Sequence, residues 1–525
     1  MAERDRIARA AGLMSAATMI SRVLGYARDM VLAYFLGATG VSDAFFLAFR
    51  IPNLLRELFA EGSTASAVIP VLTEYQGRDP DEARRLVQAT LGFVLVVVGA
   101  VSALGVLFAP QVVAVIASGF KDPSKISLTV TLTRVMFPFL FFVSLASAAM
   151  GALNVRRVFF LPAVAPAFLN LSIIASVLAW SAWVGRPVMG AALGVTLGGL
   201  AQFLVQTPAM RREGYRLRPV LDLRHPGLTR ILRLVLPVTV GVSISQLYIL
   251  AASIIASFLP AGSITYLFYS MRLIQFPIGV FGVAMGMAVL PSLSEHARKG
   301  DMWSVREDFS FSLRLLFFIT VPAMAGLIAL REPIVNLLFQ RGDWNYQATA
   351  GTARALLYYS MGIWAVVGVR VVTSTFYSLQ DTKTPVKVAA LGLAANIALC
   401  LALMGPMLHA GLALAHALAA TLNFGVLLYL LRRRLGSIRA RAIGAALLKA
   451  ALASAVMGAL ARWLLRGDIW QGSGQAALKA GLLTGVIALS LAVYAGASRL
   501  LRNEELAFMI ELLKRRLGRR KEPTP

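Results

Sequence analysis

The chain has 525 residues, of which 58% are hydrophobic and only 14% charged, and its formal net charge is +26. That charged share is about half the usual one for a soluble domain, so lipid is the expected solvent for most of the fold. The Arg and Lys residues fall in blocks between apolar stretches rather than in one basic domain, which is the pattern of cytoplasmic loops and speaks against a nucleic-acid partner.

A hydrocarbon core of about 30 Å needs about 20 apolar residues per helix. Stretches of that length predict spans over 8–36, 42–73, 84–109, 128–154, 162–184, 188–210 and 229–259. They continue over 264–294, 306–330, 348–378, 385–405, 410–431, 442–465 and 476–499. The fold class is therefore all-α and polytopic, with about fourteen transmembrane helices. Turn-forming residues punctuate the breaks, among them Gly37-Ala38-Thr39-Gly40, Pro110, Pro187, Pro260-Ala261-Gly262 and Gly405-Pro406. An even count puts both termini on one side. Arg78, Arg84, Arg85, Arg156, Arg157, Arg211, Arg212, Arg298, Arg432, Arg433, Arg434, Arg439 and Arg441 fall on that side, whereas the opposite loops hold few cations, such as Lys121, Lys125, Arg186 and Arg341. The positive-inside rule then places both termini in the cytoplasm.

The stretch from Phe35 to Arg50 aligns with that from Phe258 to Arg272, with one gap, and each copy ends one span and enters the next with an aromatic cluster before an Arg. A second echo pairs Leu153-Asn154, Pro162 and Asn170 with Leu379-Gln380, Pro385 and Asn396. Two six-helix lobes of like topology follow, arranged as parallel repeats about an axis along the membrane normal. The expected organisation is an N-lobe over 1–212, a C-lobe over 213–434, two additional helices over 435–502 and a basic amphipathic cytoplasmic tail over 503–525. The tail sets Leu506, Met509, Ile510, Leu513 and Leu517 against Lys514, Arg515, Arg516, Arg519 and Arg520, a pattern suited to anionic membrane lipids.

The first two spans carry unusual charge. Ser21, Arg22, Arg28 and Asp29 lie in the first, Asp43, Arg50, Arg56, Glu57 and Glu61 in the second, and Arg272 in the eighth. An ionised group at mid-bilayer costs about 2.5–3.5 kcal/mol even on the mild insertion scale, and Arg cannot shed its proton, so these groups must face protein or a watery cavity. Arg22 and Asp29 are in helical phase; Asp43, Arg50 and Glu57 repeat at the same spacing, as an acid–base–acid stripe. Pairing of Arg50 with Glu57 for structure alone is an equal reading. The excess of Arg over acid predicts a cationic cavity, suited to a phosphate or carboxylate. Gly279, Gly282, Gly286 and Pro277 allow bending or close helix contact in the eighth span. The single cysteine, Cys400, excludes a disulfide framework, and His409 and His416 read as packing or loop residues. No metal, cofactor or nucleotide-binding motif is expected.

At these residues the sequence resembles the MurJ/MviN family of lipid II flippases. The matching strings are Ser21-Arg22-Val23-Leu24-Gly25-Tyr26-Ala27-Arg28-Asp29, Asp43-Ala44-Phe45-Phe46, Pro52-Asn53-Leu54-Leu55-Arg56 and Phe59-Ala60-Glu61-Gly62. Further on come Arg272 with Phe276-Pro277, Leu290-Pro291-Ser292-Leu293-Ser294, Phe376-Tyr377-Ser378, Asp381-Thr382-Lys383-Thr384-Pro385 and His409-Ala410-Gly411-Leu412. The resemblance implies a multidrug/oligosaccharidyl-lipid/polysaccharide exporter fold in the bacterial cytoplasmic (inner) membrane. The implied task is moving undecaprenyl-linked lipid II to the outer leaflet by alternating access, a transport function rather than an enzymatic one, with cell-wall synthesis proteins as implied partners. It assigns Arg22, Arg28, Arg56 and Arg272 to a cationic central cavity, gives Asp43 and Glu61 a part in function, and gives the last two helices a groove for the lipid tail.

Two departures stand out. Met271 and Gln275 flank Arg272 where some relatives carry acids, and Ala252, Asn396 and Cys400 stand near the positions of a sodium site that uses carboxylates in the family. A flippase for another polyprenyl-linked polysaccharide, or a multidrug exporter of the same fold, is the alternative. A cation-drug antiporter calls for unpaired acids where this chain has Arg, and a lipid-phosphate enzyme calls for a metal cluster or an activated nucleophile.

Overall fold

The computed structural model describes residues 2–58, 67–215 and 218–519, and its regular elements are helices throughout. They group into two compact units, one of Met1–Thr265 with Arg341–Trp344 and the other of Tyr266–Gln340 with Asn345–Pro525.

The first unit holds α1 (Ala2–Leu36), α2 (Gly40–Arg56), α3 (Ile69–Arg78), α4 (Pro80–Phe93), α5 (Gly99–Leu107) and α6 (Ala109–Ile116). It continues with α7 (Pro123–Met136), α8 (Pro138–Val155), α9 (Phe160–Val184), α10 (Pro187–Arg212) and α11 (Pro226–Ala256). Starts follow local chemistry. Thr39 and Ser42 close a reciprocal capping box at α2, with the Ser42 hydroxyl accepting from the Thr39 amide at 2.8 Å. Asp79 and Asp122 cap α4 and α7 ahead of a proline, whose missing N–H costs nothing in a first turn. The core of this unit gathers Leu86, Leu140, Leu153, Met210, Tyr215 and Leu228. α11 packs on α2, α3, α4 and α6, which brings it into the first compact unit.

α9 and α10 pack most closely along a stripe of glycines. A Cβ at Gly190 would lie 2.5 Å from the Ser176 carbonyl, and one at Gly194 would lie 2.6 Å from the Ile173 Cα. Small residues at this spacing let two backbones meet, which is the main source of helix association in lipid. Gly194→Leu is expected to destabilise the protein by about 1–3 kcal/mol, read as a lowered unfolding midpoint in detergent.

The second unit contains α12 (Ser263–Pro277), whose first turn belongs to the first unit, then α13 (Val283–Arg298), α14 (Met302–Ala329), α15 (Arg331–Phe339), α16 (Tyr346–Ser360) and α17 (Ile363–Ser378). It ends with α18 (Lys383–Met407), α19 (His409–Leu435), α20 (Ala440–Leu464), α21 (Ala476–Leu500) and α22 (Glu504–Arg519). Phe317, Trp364 and Phe424 form an edge-to-face triad joining α14, α17 and α19, with centroids 5.4–6.1 Å apart. His409 packs on Tyr266 and His416 on Tyr359. The Tyr494 hydroxyl donates to the Phe318 carbonyl at 2.7 Å, tying α21 to α14. The Glu504–Arg519 part of the expected tail is the helix α22. Leu506 and Met509 pack beside Tyr494, Arg314 binds Glu504 at 2.8 Å and Glu505 at 3.1 Å, and Ile510 stays exposed. The tail's Arg520 and Lys521 lie outside the described residues.

Among the described residues, ten helices are long and apolar enough to cross a membrane.

Candidate functional site

α1 and α2 position most of the expected site residues, and the structure divides them by partner. Arg22 is exposed on α1 and has no hydrogen-bonding or acidic partner among the described residues. Ser21 takes part through its backbone: the Asn170 side chain donates to its carbonyl at 3.1 Å. Seven residues on, Arg28 donates from Nε at 3.0 Å and from Nη2 at 2.6 Å to the same oxygen of Asp29, which is fully buried. Nη1 of Arg28 has no partner among the described residues, so one edge of this guanidinium is left for an anion.

Asp43 lies in the first turn of α2 and is 1% exposed. Its carboxylate accepts from the Gly262 amide at 2.7 Å, the Thr265 amide at 3.0 Å, the Thr265 hydroxyl at 2.8 Å and Lys125 Nζ at 3.3 Å. Ser42 meets the same Thr265 hydroxyl at 2.9 Å. Two of the amides are orphans of a helix start, and a buried carboxylate satisfies both while offsetting Lys125. Asp43 and Thr265 are 222 positions apart in sequence, so this contact exists only in the folded chain.

The stripe of Asp43, Arg50 and Glu57 does not act as one chain of ion pairs. Seven residues separate successive members by about 10.5 Å along the axis, so each acid finds a nearer partner. Glu57 accepts from Asn53 at 3.2 Å and from Gln246 of α11, and its oxygen lies 3.7 Å from Nη2 of its neighbour Arg56. Arg56 also donates to Asn53 at 3.1 Å. Arg50 is partly buried. Glu61 lies outside the described residues.

In the second unit Arg272 is partly buried on α12. Past Pro277 the helix widens into a π turn over Ile278–Gly282 before α13 begins. Its glycines make close contact with α17: a Cβ at Gly282 would lie 3.0 Å from Val367 and 3.3 Å from the Arg370 stem. Arg370 is a residue that sequence reasoning passed over. It stands inside the span Tyr346–Ser378 and has no hydrogen-bonding or acidic partner among the described residues. The signal was the one used elsewhere, a lone Arg in an apolar stretch, hidden here by a run of Val and Gly. In the first unit Arg22 and Arg28, and in the second Arg370, each keep donors without a hydrogen-bonding or acidic partner among the described residues, and such cations are expensive in an apolar medium.

A family model described as "Lipid II flippase MurJ" matches residues 32–475. The chain belongs to the MurJ lipid II flippase family. It is 36% identical over 506 residues to the probable lipid II flippase MurJ of Vibrio cholerae, covering 93% of this chain and 95% of that one. It is also 36% identical over 428 residues to the lipid II flippase MurJ of Burkholderia cenocepacia, covering 80% and 83% respectively. A solved structure of lipid II flippase MurJ in an inward closed conformation superposes with a TM-score of 0.77 at 24% identity, covering 93% of this chain and 99% of that one. An inward-facing multidrug resistance MATE transporter superposes at 0.67 with 13% identity. These two likenesses establish the fold, a multi-helix transporter fold shared by MurJ and MATE proteins.

The Asp381-Thr382-Lys383-Thr384-Pro385 string forms a cap outside the spans. Asp381 accepts from the Thr384 amide at 3.0 Å and hydroxyl at 2.8 Å, and binds Arg434 at 2.5 Å. The Thr384 amide first, then its hydroxyl and the Arg434 charge, hold the Asp381 carboxyl below its ordinary value of 3.8. A depressed carboxyl stabilises the fold above its unfolded value and loses that contribution as pH falls through the folded one. Asp381→Asn is therefore expected to flatten the acid limb of thermal stability below about pH 4 and to lower the midpoint at neutral pH.

Proposed function

We propose that this protein flips lipid II, the undecaprenyl-linked peptidoglycan precursor, from the inner to the outer leaflet of the bacterial cytoplasmic membrane. The observation that carries the reading is the 36% identity, over nearly the whole chain, to proteins named for that activity. The chemistry agrees. Lipid II presents a pyrophosphate, carboxylates on a sugar–peptide head and a long polyprenyl chain, and guanidinium groups in a low-dielectric site suit the first two. Arg22, Arg28, Arg56 and Arg272 are the proposed substrate contacts in a cationic cavity that opens alternately to each side. Ser21, Asp29, Asp43, Arg50 and Glu61 are the proposed supporting network. The protein works as a transporter, without making or breaking bonds in its cargo.

The proposed organisation is an N-lobe over 1–212, a C-lobe over 213–434, two further helices over 435–502 and a tail over 503–525. Both termini are in the cytoplasm on the positive-inside rule. Anionic lipids at the basic loops and tail, and cell-wall synthesis proteins, are the proposed partners.

The test is complementation in cells depleted of their own lipid II flippase, scored by lipid II accessibility at the outer leaflet. Rescue by the wild-type chain is the expected result. Failure of a well-expressed, membrane-inserted chain overturns it in favour of another polyprenyl-linked glycan.

A further inference from the structure

Arg306 of α14 and four of the arginines where α19 ends and α20 begins divide by partner. Arg434 is neutralised by Asp381 at 2.5 Å, and Arg439 by Glu307 at 2.7 Å. Arg306, Arg432 and Arg433 have no acidic partner among the described residues. The Arg306 Nε is buried without a hydrogen-bond partner, and its Nη2 reaches within 3.7 Å of where a Cβ on Gly436 would stand. Gly436 adopts φ +77°, a conformation that excludes most side chains, so the turn stays bare beside this guanidinium. Arg432, Arg433, Gly436 and Ser437 line a cavity of about 390 Å³ together with Tyr429, and Arg433 stacks on the Tyr429 ring at 4.9 Å.

We infer that this cavity binds the phosphate of an anionic phospholipid headgroup. Unneutralised guanidinium groups converging on one concavity are costly through mutual repulsion, and a phosphate relieves that with charge-assisted, bidentate hydrogen bonds. The Ser437 hydroxyl adds a neutral donor at the rim. Position selects a lipid over a soluble phosphate. The cavity lies between the ends of two membrane spans, His409–Leu435 and Ala440–Leu464. Exposed Leu422 and Tyr429, seven apart and so on one face of α19, offer an acyl chain an apolar strip running away from it. Tyr429 matches the aromatic residues enriched at the headgroup level. The site is separate from the residues proposed to hold lipid II, so either reading can fail alone.

The experiment uses the full chain in phosphatidylcholine nanodiscs, titrated with short-chain phosphatidylglycerol, with phosphatidylcholine as control and inorganic phosphate as competitor. Wild-type protein is expected to prefer phosphatidylglycerol, and R432Q/R433Q to lose at least tenfold of that affinity, since each cation near an anionic headgroup contributes about 1 kcal/mol. Arg211→Gln, a cation at the end of α10 far along the chain, is expected to keep wild-type affinity. R306Q gives an independent reading from α14 and is expected to weaken binding too, with unfolding midpoints in phosphatidylcholine verifying that every variant is folded. Equal phosphatidylglycerol affinity in wild type and R432Q/R433Q overturns the site. Binding of inorganic phosphate as tight as that of the lipid overturns the lipid assignment.

Discussion

Cells relying on Arg28→Ala or Arg272→Ala are expected to stop exposing lipid II at the outer leaflet and to lose viability, while the variant reaches the membrane at wild-type level. Arg28 sits on α1 with one edge held by Asp29 and the other without a partner among the described residues. Its alanine variant removes a proposed substrate contact and leaves the buried Asp29 carboxylate short of its neighbour's two donors. A hydrogen bond to a charged group contributes about 1.5–3 kcal/mol, so one lost contact slows transport by roughly tenfold to a hundredfold. Arg28→Lys is expected to recover only part of the activity, because an ammonium cannot hold a carboxylate and a phosphate along two edges of a planar fork. The measurement is the fraction of lipid II accessible from outside after depletion of the host flippase. Normal growth on both alanine variants would sink the cavity assignment, and full activity of Arg28→Lys would reduce the contact to a point charge.

Asp43→Ala is expected to fail differently, through the fold. The buried carboxylate answers two backbone amides, a hydroxyl and Lys125 at once. Removing it strands those donors and an uncompensated ammonium that is 14% exposed, at a cost of about 3–5 kcal/mol. The readout is the unfolding midpoint in detergent, with Asp43→Asn falling in between because it keeps an acceptor and loses the charge. Adding Lys125→Met to Asp43→Ala is expected to restore part of the loss by removing the stranded charge. A variant that unfolds at the wild-type midpoint yet fails to support growth would move Asp43 from the frame of the site into direct contact with the cargo.

These two outcomes separate groups that the sequence placed in one set. Arg22, Arg28 and Asp43 were all recognisable as charges in apolar stretches, because hydropathy makes any ionised group in lipid conspicuous. The register of Asp43, Arg50 and Glu57 was legible too, yet it misled about pairing. Helical phase says which face a side chain leaves from and nothing about which neighbour is nearer. Glu57 turns to Arg56, Asn53 and Gln246, and Asp43 turns to residues more than 200 positions away. Arg370 escaped notice because a single Arg among small and branched residues barely dents a hydropathy average.

What the sequence determined by itself was the solvent, the helical class, ten membrane-crossing segments among the described residues and the family. Each of these depends on composition, on runs of about 20 apolar residues and on local strings, properties that need no partner elsewhere in the chain. The tertiary structure alone decided which charges are neutralised. It gave Arg434 and Arg439 their acids, left Arg432 and Arg433 lining one cavity and set Arg306 beside its Gly436 wall, although Arg432, Arg433 and Arg434 are consecutive in sequence. The reason is that an ion pair is set by distances of a few ångströms between side chains on different helices, and those distances exist only once the helices have packed.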